Sequence, residues 1–393
     1  MASKIETSVI YCGDNREVLA TLPAKCVDMI YADPPFFSDR HYEIIWGNGA
    51  EMTVFKDRWK GGINVYVEWM KERLVQCYRI LKDTGSMYLH CDWRADARLR
   101  IAMDELFGAK MFRNEIIWYY GGGGASKKQW AHKHDDILFY TKSRRWTFNV
   151  DEVRQEYKWV DGQKRADGSN RNLERGKLPD DVIVMHGIMP WAGEYRGYKT
   201  QKPESLVSQF VKASSNAGDI VLDPFAGTGT TAAVSQKLGR RWIAIDVSPI
   251  ACKVMSERLN KIGAQPFRVI GAPKTVRELR KLEPFQFQNW VVDRIGGRPA
   301  RKKSGDMGID GYSFFENLPI QIKQSDDIGR NVVDNFEAAV RREHKNKGYI
   351  IAFSFGKGAY EEAARASAED KQEIVLVRVD EIDKYFKGEP VGA

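Results

Sequence analysis

The sequence predicts an α/β protein in two parts, a doubly wound, mostly parallel sheet followed by a smaller mixed α/β domain. Three observations carry that expectation. Through the first half, short apolar runs alternate with helix-period patterns, as βα units do. Later, Ile220-Val221-Leu222 passes into a glycine-rich turn and then a helix, the order of a nucleoside-binding βαβ unit. Finally, 393 residues exceed what one ordinary core encloses, so two domains are the natural division.

Hydrophobic residues make up 43% and charged residues 29% of the chain, a balance typical of a globular protein. No apolar run approaches membrane-spanning length, and the N-terminus lacks the basic-then-apolar order of a secretory signal. The cysteines (Cys12, Cys26, Cys77, Cys91 and Cys252) are scattered with no CxxC pair. That argues against a zinc site or a disulfide framework and suits a reducing cytoplasm. The net charge of +8 is compatible with a polyanionic partner.

In chain order, Val27-Asp28-Met29-Ile30 reads as a buried strand that runs into Tyr31-Ala32-Asp33-Pro34-Pro35-Phe36. The two prolines end ladder pairing and stiffen an extended turn. An acid and an aromatic ring are thereby presented at a strand's carboxyl end, where open α/β sheets bind ligands. Val65 to Leu81 carries apolar residues at helical spacing, and Asp83-Thr84-Gly85 is expected to stop it before the strand Ser86–His90. A helix over Arg94–Phe107, ended by Gly108, and a strand over Asn114–Tyr120 follow. Gly121-Gly122-Gly123-Gly124-Ala125-Ser126-Lys127-Lys128 reads as a flexible loop, suited to a lid or to tracking phosphates. His132-Lys133-His134-Asp135-Asp136 lacks the spaced third ligand of a zinc site, and reads as a polar lead into the strand Ile137–Tyr140. From Asp151 to about Thr200 periodicity fades. Tyr157, Trp159, Trp191, Tyr195 and Tyr198 are interleaved with Arg154, Lys158, Lys164, Arg165, Arg171, Arg175 and Lys177. Such a mixture can contact phosphates and stack or wedge bases, or form a solvated insertion.

Order returns with an amphipathic helix over Glu204–Ala213. The strand Ile220–Leu222 then leads into Asp223-Pro224-Phe225-Ala226-Gly227-Thr228-Gly229-Thr230, a helix over Thr231–Leu238, and the strand Trp242–Ile245 ending in Asp246. Glycines let the backbone approach a ligand, and an acid ending the second strand can bind ribose hydroxyls. No lysine follows the glycines, so the turn is not a P-loop. Asp223 would repel a pyrophosphate and suits a cationic ligand, such as an amino acid joined to a nucleoside.

Together, Asp33-Pro34-Pro35-Phe36 and Asp223–Thr230 resemble the catalytic [DNS]PP[YFW] and cofactor D-P-F-x-G-x-G-T motifs of the amino-methyltransferases of DNA. Thr200-Gln201-Lys202-Pro203-Glu204-Ser205-Leu206 and Asn114-Glu115-Ile116-Ile117-Trp118 add to the match. The catalytic motif precedes the cofactor motif, as in the β class of that family. The resemblance implies a Rossmann-like methyltransferase sheet over residues 1–262, with a target-recognition insertion at about 121–198. It further implies S-adenosylmethionine (AdoMet) as cofactor and double-stranded DNA as partner, and it is compatible with a homodimer. Carried over, Asp33, Pro34, Pro35 and Phe36 are catalytic. Lys202, Asp223, Pro224, Phe225, Gly227, Thr228, Gly229, Thr230 and Asp246 bind the cofactor. Asp in first place favours adenine N6; Phe36 in place of the commoner Tyr keeps cytosine N4 open.

Residues 263–283 read as a linker, and Pro284 to Phe386 as helix, hairpin, helix, strand, helix and strand. The expected hairpin, Gly308–Glu316 with Leu318–Gln324, holds Asp310, Gln321 and Lys323. Gln321 and Lys323 share one strand face. An acid and an amide on paired strands can hold a hard divalent ion, and a lysine beside it can act on the attacking water. The full pattern Gly305-Asp306-Met307-Gly308-Ile309-Asp310-Gly311 with Gln321-Ile322-Lys323 resembles the Mrr-like group of PD-(D/E)XK nucleases. That implies a restriction-endonuclease-like domain over 284–393, with Asp310 and Gln321 as ligands of a magnesium ion. Where that group often has an acidic helix residue, Gln286 and Gln288 stand here, with Glu283 before them. Arg298-Pro299-Ala300-Arg301-Lys302-Lys303 could contact phosphates. The alternative is a tail that binds DNA without cutting it.

Overall fold

The computed structural model describes residues 5–38, 41–46, 50–57, 59–122, 126–156, 176–189, 191–196, 200–264, 266–300, 308–313 and 316–386, with 41–46 and 50–56 as backbone. Two compact units emerge. The first takes Met1–Arg40, Asp57–Arg196 and Thr200–Ala272, and the second takes His41–Lys56, Gly197–Lys199 and Pro273–Ala393.

The chain begins with β1 (Val9–Cys12), α1 (Asn15–Thr21) and β2 (Val27–Ala32). The antiparallel hairpin β3 (His41–Trp46) and β4 (Ala50–Lys56) belongs to the second unit. The first unit resumes with α2 (Ile63–Ile80), β5 (Leu81–Cys91), α3 (Asp96–Phe107), β6 (Phe112–Tyr119), β7 (His134–Thr141) and β8 (Val182–Val184). It closes with α4 (Glu204–Ser214), β9 (Ile220–Asp223), α5 (Thr230–Lys237), β10 (Arg241–Asp246), α6 (Pro249–Lys261) and β11 (Arg268–Ile270). Its strands form one nine-stranded sheet in the order β11-β1-β10-β9-β2-β5-β7-β6-β8. β7 runs antiparallel to both its neighbours, and the other pairings are parallel.

Strand alternation distributes side chains to two layers. Ile30 and Ala32 of β2 pack with Leu19, Tyr66, Met70, Leu74, Leu99 and Met103 from α1, α2 and α3. Met29 and Tyr31 face the opposite side, against Leu206, Val207, Phe210 and Val211 of α4. Farther along that side, Ala232, Ala233, Cys252, Met255 and Leu259 of α5 and α6 cover Ile10, Trp242 and Ala244. The winding reverses between β9 and β2. From β9 the chain crosses through α5 to β10 on one side, and from β2 through α2 to β5 on the other. This is a topological switch point, with Met29 opposite Val221 and Ile30 opposite Leu222.

Three expectations change here. Asp83–Gly85 does not separate α2 from the next strand, because β5 starts at Leu81 and the register with β2 shifts between Val27 and Met29. The loop is a bulge, closed tightly enough that a Cβ on Gly85 would strike Asp28 O and the Leu81 side chain. The insertion expected over 121–198 is not all insertion, since β7 lies within the sheet between β5 and β6. Its run Ile137–Tyr140 is too apolar to be left outside a core. Nor is 263–283 a plain linker. β11 pairs with β1, Val9 opposite Arg268, and α7 (Val276–Leu279) opens with a Thr275/Glu278 capping box. Tyr157, Lys158, Trp159, Lys164, Arg165, Arg171, Arg175 and Tyr198 lie outside the described residues.

The second unit continues with α8 (Pro284–Arg294), β12 (Arg298–Pro299), β13 (Gly311–Tyr312), β14 (Pro319–Lys323) and α9 (Arg330–Arg342), then β15 (Lys347–Ala352), α10 (Lys357–Glu369), β16 (Glu373–Arg378) and α11 (Ile382–Phe386). Its five strands run β12-β13-β14-β15-β16, the first pairs antiparallel and the last parallel. The described strands of the expected hairpin are short, and Gly305, Asp306, Met307 and Arg301–Lys303 lie outside the described residues.

Candidate active sites

Asp33-Pro34-Pro35-Phe36 follows β2 directly, as the prolines require. Its shape is fixed from three sides. Tyr66 Oη of α2 donates to Pro35 O at 2.7 Å. Ser38 donates to the fully buried Asp57 carboxylate from its hydroxyl at 2.8 Å and from its backbone N–H, while Trp59 Nε1 donates to the other oxygen at 2.7 Å. Phe37 carries a φ of 56°, the left-handed conformation that turns the chain away. Asp33 is met by Lys202, whose ammonium donates to both carboxylate oxygens at 2.9 and 2.8 Å. The same ammonium lies 4.6 Å from the Phe36 ring centroid.

Behind Phe36 stands a buried polar chain. The Phe36 and His90 rings stack with centroids 5.5 Å apart. His90, at 0% exposure, bonds Tyr31 Oη through Nδ1 at 2.7 Å and Asp135 Oδ2 through Nε2 at 3.1 Å. Burial pushes Tyr31 well above its ordinary range, with the Asp33 charge adding to it. Burial also raises Asp135, yet the hydrogen bond and charge of His90, together with the charges of Lys202 and His134, outweigh it and leave that carboxyl below its ordinary value.

The second turn ends β9, next to β2. Asp223 is buried, accepting from Phe225 N at 2.9 Å and from Thr231 Oγ1 at 2.6 Å. Burial pushes its carboxyl up to about 7, and the two hydrogen bonds only partly oppose this. Asp246, at the end of β10, accepts from Gly227 N and Ser248 N, both at 2.8 Å, and burial raises it to about 6. Gly229 caps α5 with a φ of 75°, and a Cβ there would run into Met255. Asn15 Nδ2 donates to Pro224 O at 2.7 Å. Arg258, fully buried, donates to Thr228 O at 3.2 Å, Thr230 Oγ1 at 3.0 Å and Glu204 Oε1 at 2.7 Å.

In the second unit Asp310 precedes β13 and leans onto β14. Its Oδ2 accepts from Ile322 N at 2.7 Å, and its Oδ1 from Gln288 Nε2 of α8 at 3.2 Å. Gln321 is buried, and among the described residues its Oε1 has no hydrogen-bond partner. Its amide nitrogen occupies the space that a Cβ on Gly308 would need. Of the helix residues weighed above, Gln288 reaches Asp310, whereas Gln286 closes the capping box with Glu283. Among the described residues, the acids close enough to share a cation are Asp334, Glu337 and Glu362. Glu337 and Glu362 are already held by Arg365 at 2.6 and 2.5 Å, and Glu362 also by Arg330 at 2.6 Å.

A family model described as DNA methylase matches residues 27–257, which span both turns and the strands that carry them. The chain belongs to the DNA methylase family. A second model, described as restriction endonuclease, matches residues 279–386. The methylase is 32% identical over 262 residues to the DNA adenine methyltransferase YhdJ of Escherichia coli (strain K12), a match covering 65% of this chain and 83% of that protein. It is 31% identical to the type II methyltransferase M.HpaI of Haemophilus parainfluenzae, covering 64% and 74%. With M.BglII of Bacillus subtilis the identity is 30%, covering 75% and 79%. This chain is a DNA methyltransferase that also carries a restriction-endonuclease-type domain.

Both long motifs of the methylase thus come together at the sheet's switch point. Lys202, expected among the cofactor residues, pairs with Asp33. The polar run His132–Asp136, whose last three residues open β7, is dispersed: His132 stacks on Trp93 at 4.4 Å, Asp135 bonds His90, and His134 Nε2 lies 3.7 Å from Asp136. Sequence reasoning missed Asn15, Asp57, His90 and Arg258. For His90 the signal was a polar residue closing an apolar run; for Asn15 it was the polar pair Asp14-Asn15 after the run Val9–Cys12. Asp57 and Arg258 carried none, since isolated charges in loops and helices usually face water.

Proposed function

We propose that the first unit transfers a methyl group from AdoMet to N6 of an adenine flipped out of double-stranded DNA. One observation carries the reading. The acid-Pro-Pro-aromatic turn and the glycine-rich turn end neighbouring parallel strands, β2 and β9, at the switch point. A base held by the first would face a donor held by the second. Exocyclic amines are poor nucleophiles because their lone pair is delocalised into the ring. Asp33 and the Pro34 carbonyl accept the two N–H groups and draw the nitrogen toward sp3 geometry, freeing that pair. Pro35 stiffens the turn and Phe36 stacks on the base. Extruding the base from its duplex costs about a few kcal/mol, which such contacts offset.

The buried acids and backbone of the second turn suit a cation joined to a nucleoside. Asp223 meets the ammonium of AdoMet and Asp246 its ribose hydroxyls. Gly227, Thr228, Gly229 and Thr230 give close backbone approach, with Pro224 and Phe225 as the wall. AdoMet supplies a methyl group already activated on sulfonium. Adenine is favoured over cytosine by Asp33 in first place, and by the adenine specificity in the name of YhdJ. Target reading falls to the parts of 121–198 that flank β7. A homodimer, which sedimentation would test, and a cytoplasmic setting complete the reading.

For the tail, over about 284–393, we propose magnesium-dependent DNA cleavage. The donor set fits a hard divalent ion: an acid, Asp310, beside an amide oxygen, Gln321 Oε1, that is buried with no partner among the described residues. Lys323 would orient or deprotonate the attacking water. Asp33→Ala tests the main reading. The variant should bind AdoMet by calorimetry as wild type does and transfer no tritiated methyl to DNA; undiminished transfer would sink the assignment.

A further inference from the structure

Lys202 sits where an amine belongs. Its ammonium hydrogen-bonds both oxygens of Asp33, at 2.9 and 2.8 Å, and lies 4.6 Å from the Phe36 ring centroid. A target amino nitrogen seated for methylation has to meet the same two conditions, bonding to Asp33 and lying over Phe36. We propose that Lys202 is an internal competitor for the target amino group. In the DNA-free enzyme its ammonium fills the amine subsite, and the flipped base enters as that ammonium withdraws. This inference rests on the reading of Asp33 as the acceptor for the base.

The backbone around Lys202 is fixed from several sides. Gln201 is clamped by Arg196 N at 2.9 Å and Glu194 O at 2.7 Å, and Pro203 caps α4. Lys202 O accepts from Thr230 Oγ1 at 3.4 Å, which ties the segment to the glycine-rich turn. Movement is therefore left to the lysine's tetramethylene stem, whose compact head relocates by rotamer change. The Lys202 side chain is 8% exposed and that of Asp33 19%. Breaking a pair so enclosed leaves an uncompensated charge, unless another donor takes the place of the one that leaves. A base bearing an exocyclic amine brings N–H donors to that place. An empty position brings none, so with an abasic duplex the ammonium stays on Asp33, and only an entering base has to displace it.

The test measures binding and omits AdoMet. The methylated base is first mapped by sequencing DNA from cells that express the wild type. Two duplexes are then compared by fluorescence anisotropy, one with that base and one abasic at the same position. The ratio of their Kd values reports preference for the base and cancels contacts to the rest of the duplex. Lys202→Met keeps length and removes the ammonium; the preference should rise by about threefold or more. Lys202→Arg substitutes a two-pronged donor that grips the carboxylate more firmly, and the preference should fall. A lysine needed only to hold Asp33 in place would give a loss, or no change, with Met. Either result overturns the proposal, as does an unchanged or higher preference with Arg, which stays informative if the Met variant does not fold. AdoMet calorimetry on each variant checks folding. A wild type that transfers no methyl group refutes the proposed function instead, before any variant is compared.

Discussion

Asp223→Asn should remove much of the pH dependence of the apoprotein's stability between pH 5.5 and 8. The Asp223 carboxyl is buried, and its environment raises it from 3.8 to about 7. A folded-state value above the unfolded one means that folding favours the protonated acid. The stabilisation is complete below the unfolded value and is lost as pH rises through about 7. A shift of about 3 units corresponds to about 4 kcal/mol over the whole window, of which about 2 kcal/mol falls between pH 5.5 and 8. For a unit of this size that is roughly 4–8 °C in Tm. Asparagine keeps the shape and can still accept from Phe225 N, so the variant's melting temperature should vary correspondingly less over the same range. AdoMet adds the opposite slope. If its ammonium pairs with ionised Asp223, binding releases a proton below about pH 7, and affinity rises with pH until Asp223 is fully ionised. Thermal melts of both proteins, with calorimetry in two buffers of different ionisation enthalpy, measure both effects. Equal slopes for wild type and variant would refute the stability argument. An AdoMet affinity that stays flat from pH 5.5 to 8 would refute the ammonium pairing.

Other perturbations separate the parts of the site. Tyr31→Phe leaves His90 Nδ1 buried without its partner; it should cost about 1–3 kcal/mol in thermal unfolding and lower kcat more than AdoMet affinity. Equal losses in kcat and affinity would mean that the chain behind Phe36 does not serve the base. Gly229→Ala forces a methyl group into Met255 at a φ of 75°. It should weaken AdoMet binding by about tenfold or more, read by calorimetry, with duplex affinity unchanged. In the tail, Gly308→Ala displaces the Gln321 amide. It should abolish magnesium-dependent cleavage while tritium transfer proceeds at the wild-type rate. Wild-type protein that leaves DNA intact with magnesium, whatever the methylation state, would end the nuclease reading.

What could be read from the sequence follows from how local each signal is. β2, β9, β10 and the helices between them were legible, because apolar runs bounded by glycine, proline and acidic residues encode strand ends directly. β7 was legible as a strand and misread in its place, since nothing in Ile137–Tyr140 says that it pairs antiparallel between β5 and β6. β11 was lost among the prolines and basic residues of 263–283, where three residues are too few to show a period. The acid-Pro-Pro-aromatic turn and the glycine-rich turn could each be named separately. Their meeting could not be read from either one, because it depends on β9 and β2 becoming neighbours across the switch point. Lys202 shows this most clearly. The family resemblance placed it among the cofactor residues, and its backbone does lie against Thr230. Its side chain, however, reaches across the switch point to Asp33, a partner 169 positions away. A lysine's stem makes its charge the least local feature of its residue. Motif spacing therefore locates the backbone of such a residue, and only the fold shows which charge its head group meets.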